Sequence, residues 1–351
     1  CLKFTIIKYK NQLLFLRIFF FAFLLCAVLP VPAQHKRYSF TESKMGAPFN
    51  IVLFCNDSTR AGQIAKQSFN LVDSFVLIFS DHIDSSELSK LSSTAGANAK
   101  PIAVSPALFD ILMLSKKAFT KSDGTFDITI GPLTKFWRKM RKEKIFPTDD
   151  AVQQKRKLTG FNKLKIDTVN KTVKLIQPGM QLDLGGIAQG YIAQKIIDYL
   201  RTQNINHALV NVSGDIVMSD APPGTKGWTV GINVPETTDE LLPQTLLLQN
   251  MAVTTSGDAY QFIEHNGKRY SHIIDPRTAY GVTSQRNVTV IANNGTTADW
   301  LATACSILSI KNAKKLAAKM NAVVLITENK NDKIIFYSSK GFTSYFKPAA
   351  Q

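Results

Sequence analysis

The chain has 351 residues, 45% of them hydrophobic, with a formal charge of +16 at pH 7 and four cysteines. Length alone allows one large domain or two intimate ones, and no linker, low-complexity tract or repeat divides the sequence. The cysteine spacing excludes a disulfide framework or a zinc site, and the basic surplus arrives without any nucleic-acid-binding module, which excludes nucleic acid as the partner.

The first 33 residues read as an export signal. Lys3, Lys8, Lys10 and Arg17 precede an apolar run over 18–31, and Val31-Pro32-Ala33 offers small residues for cleavage before Gln34. The apolar run is too short to span a bilayer comfortably. Cys26 raises lipidation as an alternative, but Leu25 stands where a small residue is normally required. Cleavage removes four Lys/Arg and no acid, so +16 becomes +12 for the mature part. The expected location is the periplasm or the periplasmic face of the inner membrane, and the remaining charge reads as a solvated surface, with attraction to phosphates or an anionic membrane as the alternative. Residues 34–43 read as a loose polar start, followed by one domain over 44–345.

A strand is expected at 50–54 and a helix over 58–78, where apolar residues recur at helical spacing. A second helix follows over 105–116, capped by Ser105 with Pro106 in its first turn. The run at 135–144, KFWRKMRKEK, is the densest basic patch. Then come a strand at 172–176, a helix over 190–200, and strands at 208–212 and 228–232. A β-hairpin is expected over 260–274, turning at Asn266-Gly267, the dipeptide that tolerates positive φ at both central positions. A strand at 287–292, a helix over 297–308 and strands at 322–326 and 333–338 close the chain. Helices and strands mix without a βαβ rhythm, which indicates an α+β fold with mixed sheets and packed helices. Of the two cysteines left after cleavage, Cys305 falls in an apolar helical pattern and reads as a buried thiol, with a bridge to Cys55 as the alternative.

Five stretches could carry chemistry. Asp183-Leu184-Gly185-Gly186 precedes a helix whose free N–H groups suit an anion, or is a tight turn capped by Asp183. Asn211-Val212-Ser213-Gly214-Asp215 is a ligand edge or an Asx turn. Asp299 and Thr303 stand one helical turn apart, either as oxygen ligands for a hard cation such as Mg²⁺ or as local helix-capping groups. Asp127, an acid between apolar neighbours and Gly-Pro bends, must cap a helix or meet a ligand. Thr255-Ser256-Gly257-Asp258 and His272 through Thr278 lie at the two ends of the hairpin, as walls of a polar site. His272 is a structural histidine or an acid/base group there.

In order, Met45-Gly46-Ala47-Pro48-Phe49, SDHIDSSELSKL at 80–91, FDITIGPL, DLGGIAQGY, NVSGD, TSGD, YSHIIDPRT and the Ala298-Asp299…Thr303-Ala304 helix resemble the ApbE family of flavin transferases, from about Lys44 to about Leu308. The resemblance implies an enzyme that cleaves FAD with Mg²⁺, releases AMP and joins FMN to a threonine of an acceptor protein. Its implied acceptors are subunits of Na⁺-translocating NADH:quinone reductase or Rnf-type complexes. It assigns Asp299, Thr303 and the carbonyl of Ala188 to the metal. It assigns Met45, His82, Thr125, Phe126, Asp127, Asp183, Gln189, Asp215, Ser256, Ile273 and Arg277 to FAD, and proton handling to His272 with Asp258. Four departures stand out: His82 for Tyr or Phe, Gln189 for Lys, Ser213 for Gly, and Ala279 and Gly281 for Gly and Pro. A Mg²⁺-dependent FAD pyrophosphatase and a non-catalytic FAD-binding protein are the alternatives.

Overall fold

The computed structural model describes residues 35–233, 241–257, 261–330 and 333–348, so the leader at 1–33 and Asp258 lie outside the described residues. In chain order the first half comprises β1 (Lys36–Lys44), β2 (Ala47–Cys55), α1 (Ser58–Phe79), α2 (Glu87–Ser93), β3 (Ile102–Ala103), α3 (Pro106–Lys121), α4 (Gly131–Glu143), α5 (Asp149–Arg156), β4 (Leu164–Asp167) and β5 (Thr172–Leu175). The second half comprises α6 (Ala188–Thr202), β6 (Ala208–Val212), β7 (Asp215–Met218), β8 (Trp228–Val230), β9 (Leu246–Leu248), β10 (Ala252–Ser256), β11 (Phe262–His265), β12 (Lys268–Ser271), β13 (Arg286–Ala292), α7 (Gly295–Ile307), α8 (Ile310–Lys319), β14 (Val323–Lys330) and β15 (Lys333–Ser338).

Eight strands join in the order β1-β2-β6-β7-β10-β13-β14-β15. Side-chain alternation along them buries both faces. Ile51 and Leu53 of β2, with Val288 and Val290 of β13, enter the main core beneath the helices. Val52 and Ile291 point the other way, into a second core with Trp228, Leu246 and Phe342. Each fully buried Leu, Ile, Val or Phe contributes roughly 1.5–3 kcal/mol, so the two-sided pattern is what holds this sheet in register. Arg37 to Gln351 forms one compact unit, an α+β domain whose pairing from β2 through β15 is antiparallel rather than mixed as expected.

Helices α6 and α7 lie against each other and against the middle strands of the sheet. Their first turns meet backbone to backbone: a Cβ at Gly190 would fall 2.2 Å from the Gly295 carbonyl oxygen, and one at Gly295 would fall 2.3 Å from that of Gly190. Only glycine permits that approach. The crossing carries the first turn of α6 directly over Asp299 of α7.

Several expectations change. The start read as loose over 34–43 is strand β1, with Tyr38 and Phe40 half-buried on alternate positions. It is an edge strand, where polar and charged residues between the aromatics are tolerated. A two-residue turn at Met45-Gly46, with φ of 57° and 76°, joins it to β2. The Gly131-Pro132 bend is instead the first turn of α4, where proline's missing N–H has no intrahelical partner to lose. The helix capped by Ser105 continues to Lys121, and the strand from Trp228 stops at Val230. Helix α7 begins at Gly295, because Asn294 accepts a 2.8 Å bond from Thr297 N–H and caps it earlier than expected. The hairpin turns at Asn266-Gly267 with positive φ at both, but its second strand ends at Ser271, leaving 272–274 outside the ladder. Cys55 and Cys305 are both buried free thiols, and burial pushes Cys305 up to about 12.

Candidate active site

Where the first turn of α6, the middle of α7, the ends of β7 and β10, and one face of α4 converge, they enclose a cavity of about 830 Å³. That is the size range of small-molecule and cofactor sites. The β1–β2 turn delivers Met45 to its rim, and the segment after β12 supplies His272, Ile273 and Ile274.

At one part of the cavity two carboxylates are buried together. Asp299 accepts a 2.9 Å bond from Gly190 N–H. Burial raises its proton affinity well above the carboxylate norm, and the charge of Asp215 raises it further, against the pull of the Gly190 and Gln189 N–H groups. Asp215 is likewise pushed up by burial, eased by the Thr254 hydroxyl. Thr303 lies one turn beyond Asp299, and Gly186 sits so close that a Cβ there would come 2.9 Å from Thr303 Oγ1. Ala188, whose carbonyl begins α6, lines the same wall. No group of three or more His, Cys, Asp or Glu side chains forms a metal cluster among the described residues. The donors here are instead carboxylate, hydroxyl and carbonyl oxygens. Such a hard-oxygen set, with charge left unneutralised and a cradle that a Cβ would fill, fits Mg²⁺.

The flavin-sized remainder is lined by Thr125, Phe126 and Asp127 before α4, by Asp183 and Gln189 before and within α6, and by Ser256 at the end of β10. Asp127 does both things the sequence left open. It caps a 3₁₀ turn, accepting from Thr129 N–H at 2.8 Å and Thr129 Oγ1 at 2.7 Å, and it faces the cavity. Burial raises its pKa. Asp183 closes an Asx turn onto Gly185 N–H at 2.8 Å, the tight turn foreseen for it, while lining the cavity as well. Asn211 likewise accepts from Gly214 N–H at 2.9 Å. Ser213 in that turn has φ of 53° and Ala279 has φ of 71°. Two of the positions where the sequence departs from glycine thus fall in the left-handed region that glycine favours.

His272 shows a strip of its ring to the cavity, yet its Nδ1 is sealed and has no hydrogen-bond partner. Burial first, then the Arg141 guanidinium, hold its pKa down at about 4, against the Gln261 carbonyl. His82 is mostly exposed at the rim, 3.4 Å from Asp81 Oδ1 and 3.5 Å from Arg138.

Arg277 does not join the cavity. Its guanidinium grips Asp275 with two bonds, Nε to Oδ1 at 2.8 Å and Nη2 to Oδ2 at 2.7 Å, and points to the surface. Among the described residues, the permanent cations that do line the cavity are Arg138 and Arg141, from the densest basic run of the sequence. Helical spacing could have found them, since 138 and 141 lie one turn apart and share a face with Thr134, but the helix was hidden by its charge. The other thirteen described residues singled out above for FAD and metal, and His272, all line this one cavity.

The family model described as the ApbE family matches residues 45–326. A FAD:protein FMN transferase of Klebsiella pneumoniae (strain 342) is 30% identical over 308 residues, covering 87% of this chain and 93% of the relative. One of Treponema pallidum (strain Nichols) is 29% identical, covering 83% and 84%. Among solved structures, the flavin transferase ApbE from Vibrio cholerae superposes with a TM-score of 0.79 at 25% identity, over 89% of this chain and 99% of the other.

Proposed function

The chain belongs to the ApbE family, and from that premise we propose that it is an enzyme that transfers FMN from FAD to a threonine of an acceptor protein and releases AMP. The observation that carries the reading is the convergence, in one cavity, of a hard-oxygen metal set, a neutral histidine and a flavin-sized apolar and acidic lining. Asp299, Thr303 and the Ala188 carbonyl would hold Mg²⁺. Bound there, Mg²⁺ would neutralise charge building on the phosphates of FAD during their separation.

The protein's own part is positioning and proton handling. Phe126 and Met45 give the flavin apolar surface, and Asp127 and Asp183, already anchored by Thr129 and Gly185, hold fixed acceptor oxygens toward it. The acceptor's threonine oxygen attacks the phosphorus on the FMN side of the pyrophosphate, a new P–O bond forms, and the bond to AMP breaks. His272 would take the hydroxyl proton. At about 4 it is neutral but weakly basic at rest, and an incoming negatively charged phosphate would raise its proton affinity at the moment it is needed. Asp258 remains assigned beside it from the sequence.

The signal-like leader supports export, and with the basic surface it supports action at the periplasmic face of the inner membrane. Among the described residues no helix is long and apolar enough to cross a membrane. Acceptor subunits of Na⁺-translocating NADH:quinone reductase or Rnf-type complexes are the proposed partners. Quantifying AMP with and without such a subunit tests the reading: release that depends on the acceptor supports transfer, whereas equal release of AMP and FMN without it supports the pyrophosphatase.

A further inference from the structure

The cavity lining holds five carboxylates and, among the described residues, two permanent cations, Arg138 and Arg141. They are not equivalent. Arg138 is already answered by acids, with Nη1 3.0 Å from Asp81 Oδ2 and Nη2 4.0 Å from Asp183 Oδ2. Among the described residues, the Arg141 guanidinium makes one long hydrogen bond, 3.5 Å to Gln261 Oε1, and has no carboxylate partner. Its side chain is half-buried, and both burial and the charge of Arg138 oppose its protonated form. Beside it the ring of His272 also carries an unanswered Nδ1.

A guanidinium offers five N–H donors and stays charged under all ordinary conditions. Removing it from water next to a like charge on the same helix face is unfavourable unless an anion completes the arrangement. The planar fork of arginine matches two phosphate oxygens at once. Arg277, the arginine assigned to FAD above, is already occupied by Asp275.

Resting on the FAD reading above, we propose that Arg141 is a phosphate-binding residue that grips the pyrophosphate of FAD, with Arg138 as its acid-tethered neighbour. The same helix that looks like a surface patch in the sequence therefore presents its outer residues to solvent and its arginines to the substrate. Gln261, on the segment before β11, holds the free guanidinium in place until the substrate arrives.

The test is equilibrium titration of the full chain, and of its Arg141→Gln and Arg141→Lys variants, with FAD and with riboflavin in the absence of Mg²⁺, followed by flavin fluorescence. Arg141→Gln is expected to weaken FAD about ten- to hundredfold, the range for a hydrogen bond to a charged group, while leaving riboflavin, which has no phosphate, within about twofold. Arg141→Lys should recover part of the loss. For the unmodified chain, inorganic pyrophosphate should compete with FAD and not with riboflavin, a result that needs no variant to fold. Unchanged FAD affinity in Arg141→Gln, an equal loss for riboflavin, or failure of pyrophosphate to compete would each overturn the assignment while leaving FAD binding intact. An unmodified chain that binds neither flavin would instead overturn the FAD reading, and the assignment with it.

Discussion

Replacing Gly190 with alanine tests whether the α6–α7 crossing builds the metal end of the cavity. The added Cβ would lie 2.2 Å from the Gly295 carbonyl oxygen and 2.7 Å from Asp299 Cβ. Neither obstacle can rotate away, because one is backbone and the other is fixed to it. The two helices must therefore part by roughly 1 Å, in an interior that is close-packed. Overpacking of this kind costs about 1–3 kcal/mol, and backbone obstacles place it toward the upper end. At about 1.5–2 °C per kcal/mol for a domain larger than about 250 residues, Tm should fall by roughly 3–6 °C. The same displacement stretches the 2.9 Å bond from Gly190 N–H to Asp299, so the Mg²⁺ concentration giving half-maximal turnover should rise as well. Thermal unfolding of the unliganded protein and a Mg²⁺ titration of AMP release read the two effects separately. Gly62→Ala, on α1 with nothing within 4 Å of the added atom, is the control. It should gain about 0.5–1 kcal/mol from helix propensity. A Gly190→Ala protein with unchanged Tm and unchanged Mg²⁺ dependence would refute the packing argument.

Thr303→Val keeps the side chain's shape and removes its oxygen, so Mg²⁺-dependent turnover should drop at least about tenfold at limiting metal, roughly the weight of one charge-assisted contact. FAD binding without metal should be unaffected, and an equal loss in both assays would count against Thr303 as a ligand. For His272, the folded pKa of about 4 lies below the ordinary imidazole value of 6.5, so between those values the unfolded chain binds more protons. Its contribution to stability is complete above pH 6.5, declines as pH falls toward 4, and amounts to about 3 kcal/mol in all. Urea unfolding at several pH values in that window should show a shallower decline for His272→Gln; an identical slope would show that the ring is not buried neutral. Ser213→Gly should relieve the φ of 53° and stabilise the fold by a few tenths to about 1 kcal/mol, read as a higher urea midpoint. A lower midpoint would mean that the serine makes a compensating contact.

How far the sequence reaches depends on what each residue leaves as a local trace. Strands such as β2 and β13, apolar on both faces, and helices such as α1, with a clear apolar stripe, are readable because burial imposes a period. Helix α4 was not, because its apolar anchors Leu133 and Trp137 are separated by charge and its first turn carries Gly131-Pro132, which also marks bends. Strand β1 escaped because at a sheet edge only Tyr38 and Phe40 record the alternation. The cavity's lining was legible almost entirely through motif order, whereas the partners of its cations were not. Nothing in the local pattern tells that Arg277 closes on Asp275 rather than on a ligand, or that Arg141 has no acid partner among the described residues. The first is a local choice between two partners and the second a tertiary fact, and together they move the positive charge of the site from one segment to another.

The central claim is tested most directly by incubating the chain with FAD, Mg²⁺ and an acceptor subunit, and then recording the acceptor's intact mass together with AMP. The account predicts an acceptor heavier by one FMN phosphoester, an equal amount of AMP, and no gain when the acceptor threonine is replaced by valine. AMP and free FMN beside an unmodified acceptor that a known relative does flavinylate would contradict it.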